Sequence, residues 1–381
     1  MTKRKMTRRE FMEDAGSAAA TCALMPLHSS IPFGNNSGAQ DSGGQRTPLR
    51  DRAARKGLLY GSSAQRKEFE ADPRLEATFA AQCNILVPEL DLKWDHLRPT
   101  PDSYNFAPAD YLLNFSQQHQ IQFRGHCLVW QRALPKWFAG YVTPQNAQQL
   151  MLDHIAKVAG HFSGKVHSWD VVNEVILPSD KRGDGLSNSP WLQNIGPEYI
   201  EMAFRAARAA DPNALLVWNE DFRNDESPTA EANRTFFLQH LKEKLSRGVP
   251  VQAIGIQSHL AGDQPNIASA RHKQFLKQVG DLGLKILVTE MDVHDQKLPA
   301  DVQARDQAVA AVYYNYLSGM LAEKAVIAVL TWGLCNKYTW LNSKHPRPDG
   351  LPIRPLPFDE NMNPTPVWDA IARALDDAPP R

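Results

Sequence analysis

The chain is poor in cysteine, carries no excess of either charge and contains no apolar run long enough to cross a bilayer. Its 381 residues include only four cysteines. One of them, Cys22, falls in an N-terminal segment expected to be removed. Cys83, Cys127 and Cys335 remain, and an odd number in a large domain argues against a disulfide framework, so three buried free thiols are expected. The sequence has no C-x-x-C pair and no histidine cluster, so neither a metal nor any other cofactor is expected. Lys and Arg total 42 against 42 Asp and Glu, which removes the basic excess that a nucleic-acid partner would require.

What is present begins with an address. Thr7-Arg8-Arg9-Glu10-Phe11-Met12 resembles the twin-arginine export motif, and Ala15 to Leu27 supplies an Ala-rich apolar stretch too short to span a membrane. Residues 1–39 are therefore expected to be an export signal, with Ala39-Gln40 one candidate cleavage site. Residues 40–55 read as a linker and 56–376 as the catalytic domain. The mature protein is expected in the periplasm or outside the cell, as a monomer without stable membrane association. Cys22 lacks a convincing lipobox, so no lipid anchor is expected.

Two glutamates carry the chemistry. Glu174 closes the run Trp169 to Val175 and Glu290 lies in Lys285 to Val293, each at the end of a β-branched stretch of strand length. A glutamate after an apolar run is ordinarily a solvated strand end. Here Asn173 precedes Glu174 and Trp169 lies five residues before it, and buried polar groups of that kind need partners. A retaining glycosidase needs one carboxylic acid to protonate the leaving oxygen and one carboxylate to attack the anomeric carbon, roughly 5–5.5 Å apart. Nine Trp and nine Tyr would supply flat faces for sugar rings, although most such residues simply fill cores.

Strand-like runs alternate with amphipathic stretches along the rest of the chain. Strands are expected at 57–62, 84–90, 122–130, 167–175, 215–219, 251–259, 285–293 and 325–334. Helical patterns fill the gaps at 109–118, 144–162, 197–210, 230–245, 268–282, 302–323 and 366–375. Eight such units predict an α/β fold, a single (β/α)8 TIM barrel. Glu89, His126, Asn173, Glu174, Gln257, His259, Glu290 and Trp332 all fall at C-terminal strand ends, where active sites of this fold lie.

At these positions the sequence strongly resembles the family 10 glycoside hydrolases, the endo-β-1,4-xylanases. W-D-x-x-N-E matches Trp169, Asp170, Asn173 and Glu174, and [IV]-T-E-[LM]-D matches Val288 to Asp292. P-E-x-x-x-K-W-D appears as Pro88, Glu89, Lys93, Trp94 and Asp95, and G-H-x-L-V-W as Gly125, His126, Leu128, Val129 and Trp130. Gly255, Gln257, Ser258 and His259 form G-x-Q-S-H, while Trp332-Gly333 and Trp340 complete the set. The resemblance implies that Glu174 is the general acid/base and Glu290 the nucleophile of a retaining hydrolase acting on xylan and xylo-oligosaccharides. It implies that Glu89, Lys93, His126, Trp130, Asn173, Gln257, His259, Trp332 and Trp340 bind substrate, and that Asp292 manages Glu290 with His259. Glu89 with Lys93 could instead be a local ion pair, His126 a core histidine and the tryptophans packing.

The chain also departs from the family's pattern. Leu90 stands for the usual Asn, Gln131 for His and Ala133 for Gln, so a second glycone sugar loses polar partners. Asn219-Glu220-Asp221 replaces N-D-Y, and Asn336 replaces an Asp. A related retaining enzyme acting on β-glucan or cellobiosides is the alternative, and a catalytically weak carbohydrate-binding barrel the rival of another kind. Strict strand alternation would put Asn173 and Glu174 on opposite faces, so both reach one site only if the strand twists or bulges at its end.

Overall fold

Parallel neighbours can be joined only by a crossover, so a chain that alternates β-branched runs with amphipathic helices winds strand, helix, strand. The computed structural model describes residues 46–222, 225–264 and 269–381. Its strands are β1 (Leu59–Ala64), β2 (Ile85–Pro88), β3 (Gln122–Gly125), β4 (Ser168–Asn173), β5 (Leu215–Glu220), β6 (Ala253–Ile256), β7 (His259–Ala261), β8 (Lys285–His294) and β9 (Val326–Thr331). Strands β1 to β6 pair in order, β6 pairs with β8, β8 with β9, and β9 with β1. Every pairing is parallel, and together they close an eight-stranded barrel. Strand β7 lies outside the ring and continues alongside β8 through His259, Leu260 and Ala261.

Burial on both faces holds the ring. Ile85, Val87, Val217, Ala253, Leu287, Ala328 and Leu330 meet across its interior, and Leu86, Phe123, Trp169, Leu216, Ile254, Ile286 and Val329 face the helices. The helix Tyr199–Ala210 shows how the outer layer is specified. It buries Tyr199, Ile200, Ala203, Phe204 and Ala207, the i, i+3, i+4 stripe of an amphipathic helix. Ser227, Ser269 and Asp301 cap three later helices by accepting a backbone N–H. Part of the interior is polar: Arg124 is fully buried, donating to Ser168 Oγ at 3.0 Å and to the Asp170 carboxylate.

The expected domain start at 56 moves earlier. One compact unit runs from Thr47 to Arg381, because Leu49 and Ala53 of the helix Leu49–Ala54 are fully buried. The expected export signal, 1–39, lies outside the described residues, as does the linker as far as residue 45. The helix Pro73–Gln82 adds to the expected set, with Asp72 as its cap and Pro73 in its first turn. Two expected strands end early. The run 122–130 is interrupted after Gly125 and rejoins β4 only through Leu128 and Val129, and 251–259 breaks into β6 and β7 where Ser258 takes a left-handed conformation (φ 66°). Cys83, Cys127 and Cys335 are buried and free. No helix among the described residues is long and apolar enough to cross a membrane.

Candidate active site

The end of β4 resolves the alternation conflict. The β4–β5 register shifts between Asp170 and Val172, and Glu174 adopts φ 53°, a left-handed conformation uncommon outside glycine. The turn brings Glu174 to the same site as Asn173. Three contacts hold the strained segment: Glu174 N–H donates to Asn219 O at 3.0 Å, Gln131 Nε2 donates to Glu174 O at 2.8 Å, and the buried Glu220 carboxylate accepts from Val175 and Ile176 N–H at 2.9 and 3.2 Å. Trp218 Nε1 donates to the same carboxylate at 2.7 Å. Burial pushes the Glu174 carboxyl up, and Asp221 and Glu290 add to the rise. Arg132 Nε, 2.7 Å from Oε2, and Gln257 Nε2, 3.3 Å from Oε1, oppose it. The guanidinium is 42% exposed, and solvent screens it, so burial prevails.

Glu290 sits in β8 with the opposite outcome. Burial alone would raise its carboxyl, but His259, His126 and Lys93 bring it down to about 2. His259 Nε2 lies 3.4 Å from Oε2 and His126 Nδ1 4.0 Å from Oε1. Asp292 holds the other nitrogen of His259 at 2.8 Å. Desolvation would lower His259, yet the charges and hydrogen bonds of Asp292 and Glu290 raise it well above the ordinary imidazole value. Each member of the pair thus favours the charged form of the other.

A chain of amides links the two carboxylates. A carboxylate only accepts, so Asn219 must turn its amide nitrogen to Glu290 Oε1, 2.7 Å away. Thr289 Oγ1 donates to Asn219 Oδ1 at 2.8 Å and fixes that orientation. The same nitrogen lies 2.9 Å from Asn173 Oδ1, which also accepts from Gln257 Nε2 at 3.2 Å. Asn173 Oδ1 is thereby doubly occupied, so any further hydrogen bond of this side chain comes from Nδ2. Gly255 makes room for this arrangement, since a Cβ there would stand 2.0 Å from Asn219 Oδ1.

Aromatic and cationic groups surround the carboxylates. Lys93 Nζ lies 4.9 Å from the Trp130 ring centroid and 5.5 Å from that of Trp332, within cation–π range. His126 packs edge-on against Trp332 at 5.3 Å and bonds Asp170 at 2.9 Å, so a buried polar network fixes its ring. Trp340 Nε1 donates to Asp292 Oδ2 at 2.7 Å and the ring meets His259 at 5.3 Å. Glu89 is buried just beyond β2, and burial raises its carboxyl against Gln65 and Lys93. Among the described residues, no group of three His, Cys, Asp or Glu side chains is arranged to hold a metal.

The profile of glycosyl hydrolase family 10 matches residues 48–374. The chain belongs to glycosyl hydrolase family 10. It is 34% identical to endo-1,4-beta-xylanase B of Thermotoga neapolitana over 88% of this chain and 93% of that one. A beta-1,4-xylanase of Dictyoglomus thermophilum is also 34% identical, over 76% and 81%. Among solved structures, xylanase 10B from Thermotoga petrophila RKU-1 in complex with xylobiose superposes with a TM-score of 0.79 at 33% identity, covering 88% of this chain and 98% of that one. This family 10 hydrolase therefore has the (β/α)8 barrel expected from its strand and helix pattern.

The barrel brings Asn173, Glu174, Gln257, His259, Glu290 and Asp292 into one bonded cluster, with Lys93, His126, Trp130, Trp332 and Trp340 in connected contacts. Glu89 is joined to it through the charge of Lys93. Sequence reasoning left Asn219, Glu220 and Arg132 without roles at the site. For Asn219 a signal existed: Val217 faces the barrel interior, so alternation along β5 turns residue 219 inward at the same end. Nothing in the sequence marked Arg132.

Proposed function

We propose that the chain is an endo-1,4-β-xylanase that cleaves internal β-1,4-xylosidic bonds with retention. The observation that carries the mechanism is the opposite surroundings of two glutamates in one bonded cluster, burial pushing Glu174 toward its neutral form and His259, His126 and Lys93 holding Glu290 charged. In the first step the Glu290 carboxylate attacks the anomeric carbon while Glu174 gives its proton to the leaving glycosidic oxygen. An ester then joins the sugar to Glu290. Glu174, now a carboxylate, takes a proton from water as that water attacks the anomeric carbon and frees Glu290, which restores the β-configuration. Asn173 Nδ2 is available to the sugar 2-hydroxyl, where a hydrogen bond strengthens as positive charge develops on the ring. Lys93, His126 and Glu89 offer partners to glycone hydroxyls, and Trp332 and Trp340 an apolar cover.

Proton NMR at early times of xylo-oligosaccharide hydrolysis tests this. The β-anomer should appear first, and an α-anomer first would overturn the nucleophile assignment. Leu90 and Ala133, where the family usually has polar groups, favour a second reading in which a β-glucan or cellobioside is preferred. Product analysis on xylan against carboxymethyl cellulose separates the two. The Arg8-Arg9 pair supports export of the folded protein by the twin-arginine route. Changing both to Lys should leave active enzyme in the cytoplasm.

A further inference from the structure

Arg132 stands two residues beyond Trp130 and places its Nε 2.7 Å from Glu174 Oε2. Its neighbour Gln131 binds the backbone carbonyl of the same glutamate, so one short segment grips both ends of Glu174. Gln257 takes the other carboxylate oxygen at 3.3 Å. A cation against one oxygen and an amide donor on the other suit a carboxylate, not a carboxylic acid. A guanidinium has no acceptor atom, so it cannot accept a hydrogen bond from a protonated Oε2. An acid catalyst nevertheless has to begin the reaction protonated. The guanidinium is 42% exposed while the Glu174 side chain is 18% exposed, so Arg132 has room to leave toward solvent.

We propose that Arg132 is a positioning residue that binds Glu174 in its carboxylate form and yields when substrate fills the cleft, which couples substrate binding to protonation of the acid/base. The inference rests on the reading of Glu174 as acid/base. The other charged groups that face Glu174 are Asp221, Glu290 and Glu220. All three are acidic, so Arg132 is the one cation acting directly on it among these groups. After the glycosyl ester forms, Glu174 is a carboxylate and Arg132 can return to it as water enters. The sign follows: removing the cation makes the free enzyme's acid harder to ionise and carries the alkaline limb of kcat/KM to higher pH.

The test compares pH profiles of kcat/KM and kcat on xylotetraose for wild type, Arg132→Gln and Arg132→Lys. For a partly exposed ion pair, the alkaline limb of kcat/KM in Arg132→Gln should rise by roughly half to one pH unit, a three- to tenfold gain above the wild-type limb. The limb of kcat, which reports the occupied site, should stay in place, and Arg132→Lys should follow wild type. An alkaline limb of kcat/KM that does not move in Arg132→Gln overturns the proposal, as does a loss of activity with no pH signature. Glu174→Ala, assayed in parallel, keeps the two readings separate. If that variant retains full turnover, the acid/base assignment fails. If it is inactive and the limb is unmoved, only the role of Arg132 fails.

Discussion

Glu174, just after β4, and Glu290, on β8, are separated in the ring by β5 and β6 and are both largely withdrawn from water, yet burial prevails at only one. Around Glu290 the partners are themselves anchored: the donors Asn219 by Thr289 and His259 by Asp292, and the nearby ring of His126 by Asp170. Beside Glu174 stands the guanidinium of Arg132, 42% exposed and paired with Oε2 at 2.7 Å. Desolvation acts on both in the same direction, so the difference lies in the opposing charges: His259, His126 and Lys93 beside Glu290, against one solvent-exposed guanidinium and two further carboxylates, Asp221 and Glu290, beside Glu174. On the proposed mechanism, the nucleophile, which must stay ionised, has anchored partners, and the acid/base, which changes state twice per turnover, has a solvent-exposed one.

The comparison breaks most visibly if either carboxylate is deleted. Glu290→Ala should lower kcat at least about 10⁴-fold, with azide restoring turnover as the α-glycosyl azide. Glu174→Ala should cost about 10²–10⁴-fold and give the β-azide. Exchanged azide stereochemistry would mean that the two roles are reversed. Glu220→Ala removes the carboxylate that holds Val175 and Ile176 N–H and so loosens the left-handed Glu174. Kinetics should show kcat reduced up to about 10²-fold, the cost of a misplaced catalytic group, while the acid limb stays put. An unchanged kcat would mean the turn at Glu174 holds itself.

His259→Ala sharpens the other side. Glu290 attacks only as a carboxylate, so activity falls as pH drops through its pKa, which His259 helps bring down to about 2. Without that partner the pKa rises toward its ordinary value, and the acid limb of kcat/KM should move up by about one unit or more. The alkaline limb should not follow. Smallest is the double change Leu90→Asn with Ala133→Gln, which leaves both carboxylate pockets intact. On xylotriose, kcat/KM should rise about tenfold, equivalent to about 1.4 kcal/mol of transition-state binding, with both limbs unmoved and less gain on long xylan. Loss of activity on every xylan would show that Leu90 and Ala133 serve another β-glycoside.

Much of this was legible in the chain because strand ends in a parallel barrel converge by construction. Any polar residue closing a β-branched run points to the same face, so Glu89, Asn173, Gln257 and Glu290 could be grouped without coordinates. Less legible were the limits of the strands at Gly125 and Ile256. There the ladder is interrupted at the buried His126, to resume at Leu128 and Val129, and at a left-handed Ser258, although the apolar pattern runs on. The start of the domain was also hidden, because Leu49 and Ala53 reveal their burial only against a barrel whose other parts come much later in the chain.

The sequence by itself determined the alternation of strands and helices, hence the barrel, and the identity of the two carboxylates, since motif spacing and hydrophobic period are local properties. Only the tertiary structure decided how those carboxylates differ. The register shift in β4 and the left-handed Glu174 put Asn173 and Glu174 at one site despite their adjacency. Asn219 from β5 and His259 from β7 reach Glu290 on β8, and Arg132 from the segment after β3 reaches Glu174. Protonation depends on distances of a few ångströms between residues far apart in the chain, and those distances are set by how the strands close around the ring.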